Sequence, residues 1–183
     1  MPLLGQHAVH VERNVHDVTH LRAGIIMPRY ACTLSNVPTP IRPNHALTMF
    51  TRMSSTLKFV HDHAWLHGDV KPSNIFIDFL GNAWLGDYGS SICFDDLRNY
   101  TGGTPSFQCS DVDVILSPSQ FDCIGLVITF LVKLDLLNVR NASACGWPLE
   151  AVSSATKRVE HVPLKAALEA SLSSVLVARS RVA

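Results

Sequence analysis

The chain predicts an α+β fold, mostly helical, with one small β-hairpin. Three observations carry that prediction. Apolar residues recur at helical spacing in residues 47–60 and again in residues 164–176. Residues 121–137 are almost continuously apolar, as expected of a largely buried helix. Two short β-rich runs flank Gly81-Asn82, a hairpin signal. With 183 residues and 47% hydrophobic content, the chain can bury about 70% of its unfolded surface as one domain.

The elements follow in order. The first 20 residues are rich in His and Val with weak alternation, suggesting loop and one strand. Gly24-Ile25-Ile26-Met27 is a short apolar run stopped by Pro28, which predicts a buried strand entering a loop. Residues 34–44 carry three prolines and two asparagines and read as a connector, with Asn44 able to cap the next helix. In that helix Leu47, Phe50, Leu57 and Val60 form the apolar stripe, Met53 lies beside it, and the end falls near His63. Ile75 to Asp78 and Ala83 to Leu85 are the hairpin strands. Residues 90–119 are rich in Ser, Thr, Gly, Asp and Pro and predict a long loop, a feature usually tied to function. After the buried helix, Leu164, Leu168, Leu172, Val175 and Leu176 make a last stripe that reads as core. There is no internal repeat and no low-complexity tract.

Charge and cysteine usage narrow the function classes. Lys+Arg and Asp+Glu are equal at 15 each, so no net field draws the chain to nucleic acid or to an anionic membrane. The most apolar run, residues 124–132, is far short of the roughly 20 residues that cross a bilayer, and no segment resembles a secretion signal. Cys32, Cys93, Cys109, Cys123 and Cys145 lack CxxC spacing. They suit reduced thiols in the cytoplasm or nucleus better than a disulfide framework or a zinc site.

The chemistry concentrates in His67-Gly68-Asp69-Val70-Lys71-Pro72-Ser73-Asn74 and Gly86-Asp87-Tyr88-Gly89. Phosphoryl transfer needs an oriented nucleophile and metal ions that neutralise phosphate charge. Asp69 can accept the hydrogen bond of an incoming hydroxyl, and Lys71 can reach the transferring group. Asn74 and Asp87 offer hard oxygen ligands that suit magnesium, and a hairpin between them would bring the two together. His67 reads as a packing and hydrogen-bonding residue, His61-Asp62-His63 as a solvated turn, and Tyr88 as core packing against the preceding helix. Tyr100, Thr101 and Ser106 read as polar loop residues.

These motifs resemble the C-terminal lobe of a eukaryotic-type protein kinase. Residues 67–74 resemble the catalytic loop H-R-D-x-K-P-x-N, Asp87-Tyr88-Gly89 resembles the metal-binding D-F-G, and Gly103-Thr104-Pro105 resembles the G-T-P late in the activation segment. Ile25-Ile26-Met27-Pro28-Arg29-Tyr30 resembles the strand and hinge that hold the adenine. The resemblance implies ATP and Mg2+ as cofactors, a protein substrate, and phosphorylation of serine or threonine, the branch that Lys71-Pro72 matches. It implies Asp69, Lys71 and Thr104 as catalytic residues and Asn74 and Asp87 as metal ligands. The nucleotide would meet Met27, Pro28 through its carbonyl, Tyr30 through its backbone N–H, and Lys71, Ser73 and Asn74. Residues 1–33 would then be a remnant of the smaller lobe's strands and hinge, and residues 34–183 the helical lobe.

The sequence departs from that pattern in several places. The first lysine is Lys58, and only Gly5 and Gly24 precede it, so the Gly-rich loop and strand lysine of the phosphate clamp are missing. Each preorganised electrostatic partner lost costs about 3–4 kcal/mol, so little turnover is expected of this polypeptide alone. Gly68 stands where many kinases carry an arginine that pairs with activation-loop phosphate, which predicts a smaller role for that phosphate here. Cys109-Ser110-Asp111 occupies the A-P-E place, with Asp111 or Asp113 as the acid. Either Asp122 or Gln120 fills the aspartate slot of the buried helix, and a two-residue shift turns a helix by about 200°, so both cannot. Two rival readings remain. One is a small-molecule phosphotransferase of the aminoglycoside or choline kinase type, which shares H-G-D-x-x-x-x-N. The other is a non-catalytic, pseudokinase-like binding module.

Overall fold

Helix α2 (Pro118–Lys133) occupies the centre of the fold because its sequence is apolar on every side. Ile124, Leu126, Val127, Ile128, Phe130 and Leu131 are all within 1% of complete burial. In the computed structural model, residues 27–100, 102–111 and 117–180 are described, with side chains to residue 173. The chain divides into two units, Met1–Tyr30 and Ala31–Ala183, each taken by itself. Of the first, only residues 27–30 are described, and they are coil with Met27 exposed. The remainder of the strand expected at residues 24–27, like the first 20 residues, lies outside the described residues.

In the second unit, α2 packs against α1 (Pro43–Asp62), α3 (Leu149–Lys157) and α4 (Val162–Ser180). Helix α1 begins one residue before the expected cap. Pro43 takes the first helical position, where its fixed φ is already suitable, so Asn44 sits inside the helix and does not cap it. Its buried face is Ala46, Phe50, Met53 and Leu57, with Leu47 and Val60 only half-buried. Met53 therefore belongs to the centre of the stripe, and Phe50 meets Phe130 of α2 edge-on at 5.5 Å.

Helix α2 starts three residues earlier than its apolar run suggests. Ser117 and Gln120 form a reciprocal capping box, and Pro118 fills the first turn. It stops at Lys133, not at residue 137, and the left-handed Asp135 (φ 61°) turns the chain away. The buried Lys133 ammonium donates to the Val37 carbonyl, and Ile41 N donates to the Lys133 carbonyl at 2.8 Å. Together they lash the proline-rich connector to the end of α2. Helix α3 gave no periodic signal, being short and rich in Ala, Ser and Thr, yet it buries Leu149, Val152 and Ala155. Helix α4 buries Leu164, Leu168 and Leu172, as its stripe predicts; the side chains of Val175 and Leu176 lie outside the described residues. His161 accepts from Leu164 N at 3.2 Å and meets Asn44 Oδ1 at 2.7 Å, joining the start of α4 to α1.

The strands are short and antiparallel. The expected hairpin is present as β3 (Ile75–Ile77) paired with β4 (Ala83–Leu85), Ile75 opposite Leu85. β1 (Cys32–Thr33) extends that sheet beside β3. Asp78 organises the hairpin turn by accepting from Leu80 N, Asn82 N, Asn82 Nδ2 and Trp84 Nε1. These donors hold its carboxyl down at a pKa of about 2. The Arg52 guanidinium stacks 4.0 Å from the Trp84 ring centroid and presses the hairpin onto α1. A second ribbon pairs β2 (Trp65–Leu66) with β5 (Ile92–Cys93). Much of residues 90–119 is thus organised and not a plain loop, with further 3-10 turns at Phe94–Asn99 and Pro105–Phe107.

Candidate active site

The loop after β2 is held by side chains at every backbone polar group from His67 to Asp69. Asp122, in the first turns of α2 and 1% exposed, accepts from His67 N at 2.8 Å and from Gly68 N at 2.9 Å. The His67 carbonyl accepts from Ser91 Oγ, and the Gly68 carbonyl accepts from the Tyr100 hydroxyl. Asp69 N donates to His67 Nδ1 at 3.3 Å, and the Asp69 carbonyl accepts from Asn74 Nδ2 at 2.9 Å. Of the two candidates on the buried helix, it is therefore Asp122 that meets the loop, while Gln120 is engaged in the capping box.

His67 is fully buried. With Nδ1 accepting, its proton lies on Nε2, which donates to the Gly86 carbonyl at 3.0 Å and ties the loop to the end of the hairpin. His61 departs from the expected solvated turn. Its side chain is 10% exposed, and Nε2 meets Asp122 Oδ2 at 2.8 Å, because the last turn of α1 passes beside the start of α2. His63 and Asp62 do face solvent, bonded to Phe59 O and Lys58 respectively.

Asp69, Lys71 and Thr104 form a closed triangle. Lys71 Nζ lies 2.6 Å from Asp69 Oδ2 and 2.7 Å from Thr104 Oγ1, and Thr104 Oγ1 donates to Asp69 Oδ1 at 2.8 Å. Asn74 Nδ2 adds a 3.2 Å bond to Asp69 Oδ2. Partial burial pulls the Asp69 carboxyl upward. Hydrogen bonds from Lys71, Thr104 and Asn74, with the charge of Lys71, outweigh that and hold it below the ordinary aspartate range.

Asn74 is 3% exposed, and its amide orientation follows from its neighbours. Two Asp69 oxygens face one end, so that end is the NH2 group. The amide oxygen is left with one long contact, 3.4 Å from Ser73 Oγ on the exposed Ser73. Gly86 N donates to the Asn74 carbonyl at 2.9 Å, so the hairpin returns the chain to Asn74 immediately before Asp87. Asp87 is exposed and left-handed (φ 59°, ψ 69°), and its carboxylate accepts from Gly89 N at 3.4 Å. A buried, under-used amide oxygen and an exposed carboxylate are hard oxygen donors of the kind Mg2+ takes, one or two from protein with water and phosphate filling its shell. Among the described residues no three His, Cys, Asp or Glu side chains converge.

Tyr88 differs from expectation: it is 46% exposed and lies edge-on to His67 at 4.9 Å instead of packing into the core. The Asp87 turn faces outward and carries Tyr88 with it. Met27, Pro28 and Tyr30 belong to the first unit, whereas Asp69, Lys71, Asn74, Asp87 and Thr104 all belong to the second. Asp111 is half-buried, and Asp113 lies outside the described residues. Sequence reasoning missed Ser91 and Tyr100 as holders of the loop and His61 as a partner of Asp122; the bare Gly68 was the available signal for Tyr100.

No protein-family model matches the chain. It is similar to a serine/threonine-protein kinase of Gallid herpesvirus 2 (strain GA), 32% identical over 75 residues, which are 39% of this chain and 19% of the relative. It is 33% identical to a serine/threonine-protein kinase of Human herpesvirus 2 (strain HG52) over 98 residues, 51% of this chain and 18% of the relative. It is 43% identical to a dual specificity protein kinase of Dictyostelium discoideum over 51 residues, 28% of this chain and 8% of the relative. The chain thus spans less than a fifth of the length of these relatives. A kinase-type catalytic loop on an α+β scaffold, matched at this level by several protein kinases, shows that the chain is related to the protein kinase family.

Proposed function

We propose that the chain carries the catalytic half of a serine/threonine protein kinase, which transfers a phosphoryl group from Mg-ATP to a protein hydroxyl. The observation that carries this is the triangle of Asp69, Lys71 and Thr104, with Asn74 bonded to the same carboxylate. Asp69, kept ionised by its donors, accepts the hydrogen bond of the incoming hydroxyl and orients its oxygen. Lys71 holds a positive charge beside that carboxylate, where the transferring group would pass. Thr104 links the two and fixes their spacing. Asn74 and Asp87 would hold Mg2+, which when bound neutralises charge on the nucleotide phosphates. Met27, Pro28 and Tyr30 would hold the adenine side, with Ser73 near the metal ligand.

The 183-residue polypeptide has neither a Gly-rich loop nor a lysine before Lys58, so we expect it to bind nucleotide weakly and turn over slowly by itself. The test is calorimetric titration with Mg-ATP, paired with transfer of labelled phosphate to a generic protein substrate, using Asp69→Asn as control. Binding that needs Mg2+ and is lost in Asp87→Asn supports the reading. A stable fold without any nucleotide binding would turn it toward a non-catalytic binding module. Phosphorylation of a small alcohol and no protein would turn it toward a small-molecule phosphotransferase. Thr104 is the observation against that last alternative, because it joins the activation segment directly to Asp69 and Lys71.

A further inference from the structure

We propose that Tyr100 is a positioning residue of this site, a phenolic clasp that holds residues 102–104 against the catalytic loop without any phosphate group. The proposal rests on the reading of Asp69 as the hydroxyl-orienting group. The peptide unit between Gly68 and Asp69 is gripped from both ends. Its carbonyl accepts from the Tyr100 hydroxyl, and its N–H donates to His67 Nδ1. Asp69 stands on that peptide, so its carboxylate direction follows the plane that these two bonds set. Without Tyr100, the Gly68 carbonyl would be the one backbone group of residues 67–69 lacking its bond.

The surroundings are shaped for this ring. Gly68 has φ +84°, and a Cβ there would come within 2.9 Å of Tyr100 Cε2 and 2.8 Å of Ser90 O. Gly103 has φ +95°, and a Cβ there would come within 2.7 Å of the Tyr100 hydroxyl oxygen and 2.0 Å of Gln108 Nε2. Both positions therefore need glycine, for conformation and for space. Phe121 of α2 meets the ring edge-on at 5.6 Å. Burial, with the nearby carboxylates of Asp122 and Asp69, raises the phenol above its ordinary range and keeps it a donor. The segment is thus joined to the loop at two points, Tyr100 to Gly68 and Thr104 to Asp69 with Lys71. A bulky cationic side chain at position 68 would have no room beside this ring.

Hydrogen–deuterium exchange on the full chain tests the clasp, because Tyr100→Phe keeps the ring and deletes only the hydroxyl. The expected result is about tenfold faster exchange in peptides covering residues 66–71 and 102–108, with α1 and α2 unchanged. Unchanged exchange everywhere would overturn the proposal. Equal acceleration across all helices would also overturn it, since that marks a packing role alone. Exchange needs no nucleotide, so failure of the chain to bind Mg-ATP would sink the kinase reading and leave this result standing.

Discussion

Residues 67–69 and residues 87–89 flank the same hairpin, yet the structure treats them differently. In the first arm all six backbone polar groups are bonded to side chains, and Asp122, 1% exposed, takes two of them. In the second, Asp87 is exposed, left-handed, and bonded through its carboxylate to Gly89 N at 3.4 Å. The difference follows from where each arm's partners come from. The first leans on the most buried helix of the core and is preorganised by folding itself. The second leans on its own turn, and a left-handed aspartate costs about 1–2 kcal/mol unless something draws it there. Under the proposed function, that draw is a bound cation.

The comparison can be broken at several points. Asp122→Ala should have the largest effect, because it strands the buried N–H groups of His67 and Gly68 and the ring of His61. A loss of about 3–5 kcal/mol in urea-induced unfolding is expected. A loss no larger than that of Asp87→Ala would erase the contrast between the arms. Thr104→Val should cost about 1–2 kcal/mol by the same measurement, since one hydroxyl serves both Asp69 and Lys71. Acid should act next. Asp69 and Asp78 both have folded values below the ordinary aspartate value of 3.8. Each therefore contributes stability that is present above that value and is lost as pH falls through the folded one, for Asp78 between 3.8 and about 2. Unfolding midpoints followed from pH 5 to pH 2 should fall less steeply in Asp69→Asn and in Asp78→Asn than in wild type. Asp87→Asn should be the mildest for stability, within about 0.5 kcal/mol. Calorimetry should nevertheless show that it loses Mg2+-dependent nucleotide binding, which is how an arm ordered by its ligand should behave.

Much of the frame was legible from local pattern. The hairpin could be read because Gly81-Asn82 and the β-rich runs beside it are a local signal, and β3 and β4 pair as that signal implies. The apolar stripe of α1 was legible too, although Met53 proved central and Leu47 peripheral, since facing residues on α2 choose which part of a stripe is buried. Helix α3 escaped because its nine residues, mostly Ala, Ser and Thr around Leu149 and Val152, carry too little periodicity to stand out. Tyr88 and His61 were misplaced for a related reason: one turns outward with the Asp87 turn and the other inward toward Asp122, and neither direction is encoded nearby.

By itself the sequence singled out Asp69, Lys71, Asn74, Asp87 and Thr104, because their types and spacing suit the proposed phosphoryl transfer. It also determined the helices and hairpin whose apolar periods are local. Only the tertiary structure decided that Asp122 rather than Gln120 meets the loop, that Thr104 closes on Asp69 and Lys71 across more than thirty residues, and that Tyr100 grips Gly68. Those are bonds between distant segments, and their partners are selected by how α2 packs in the core, a property of the whole chain and not of any window along it.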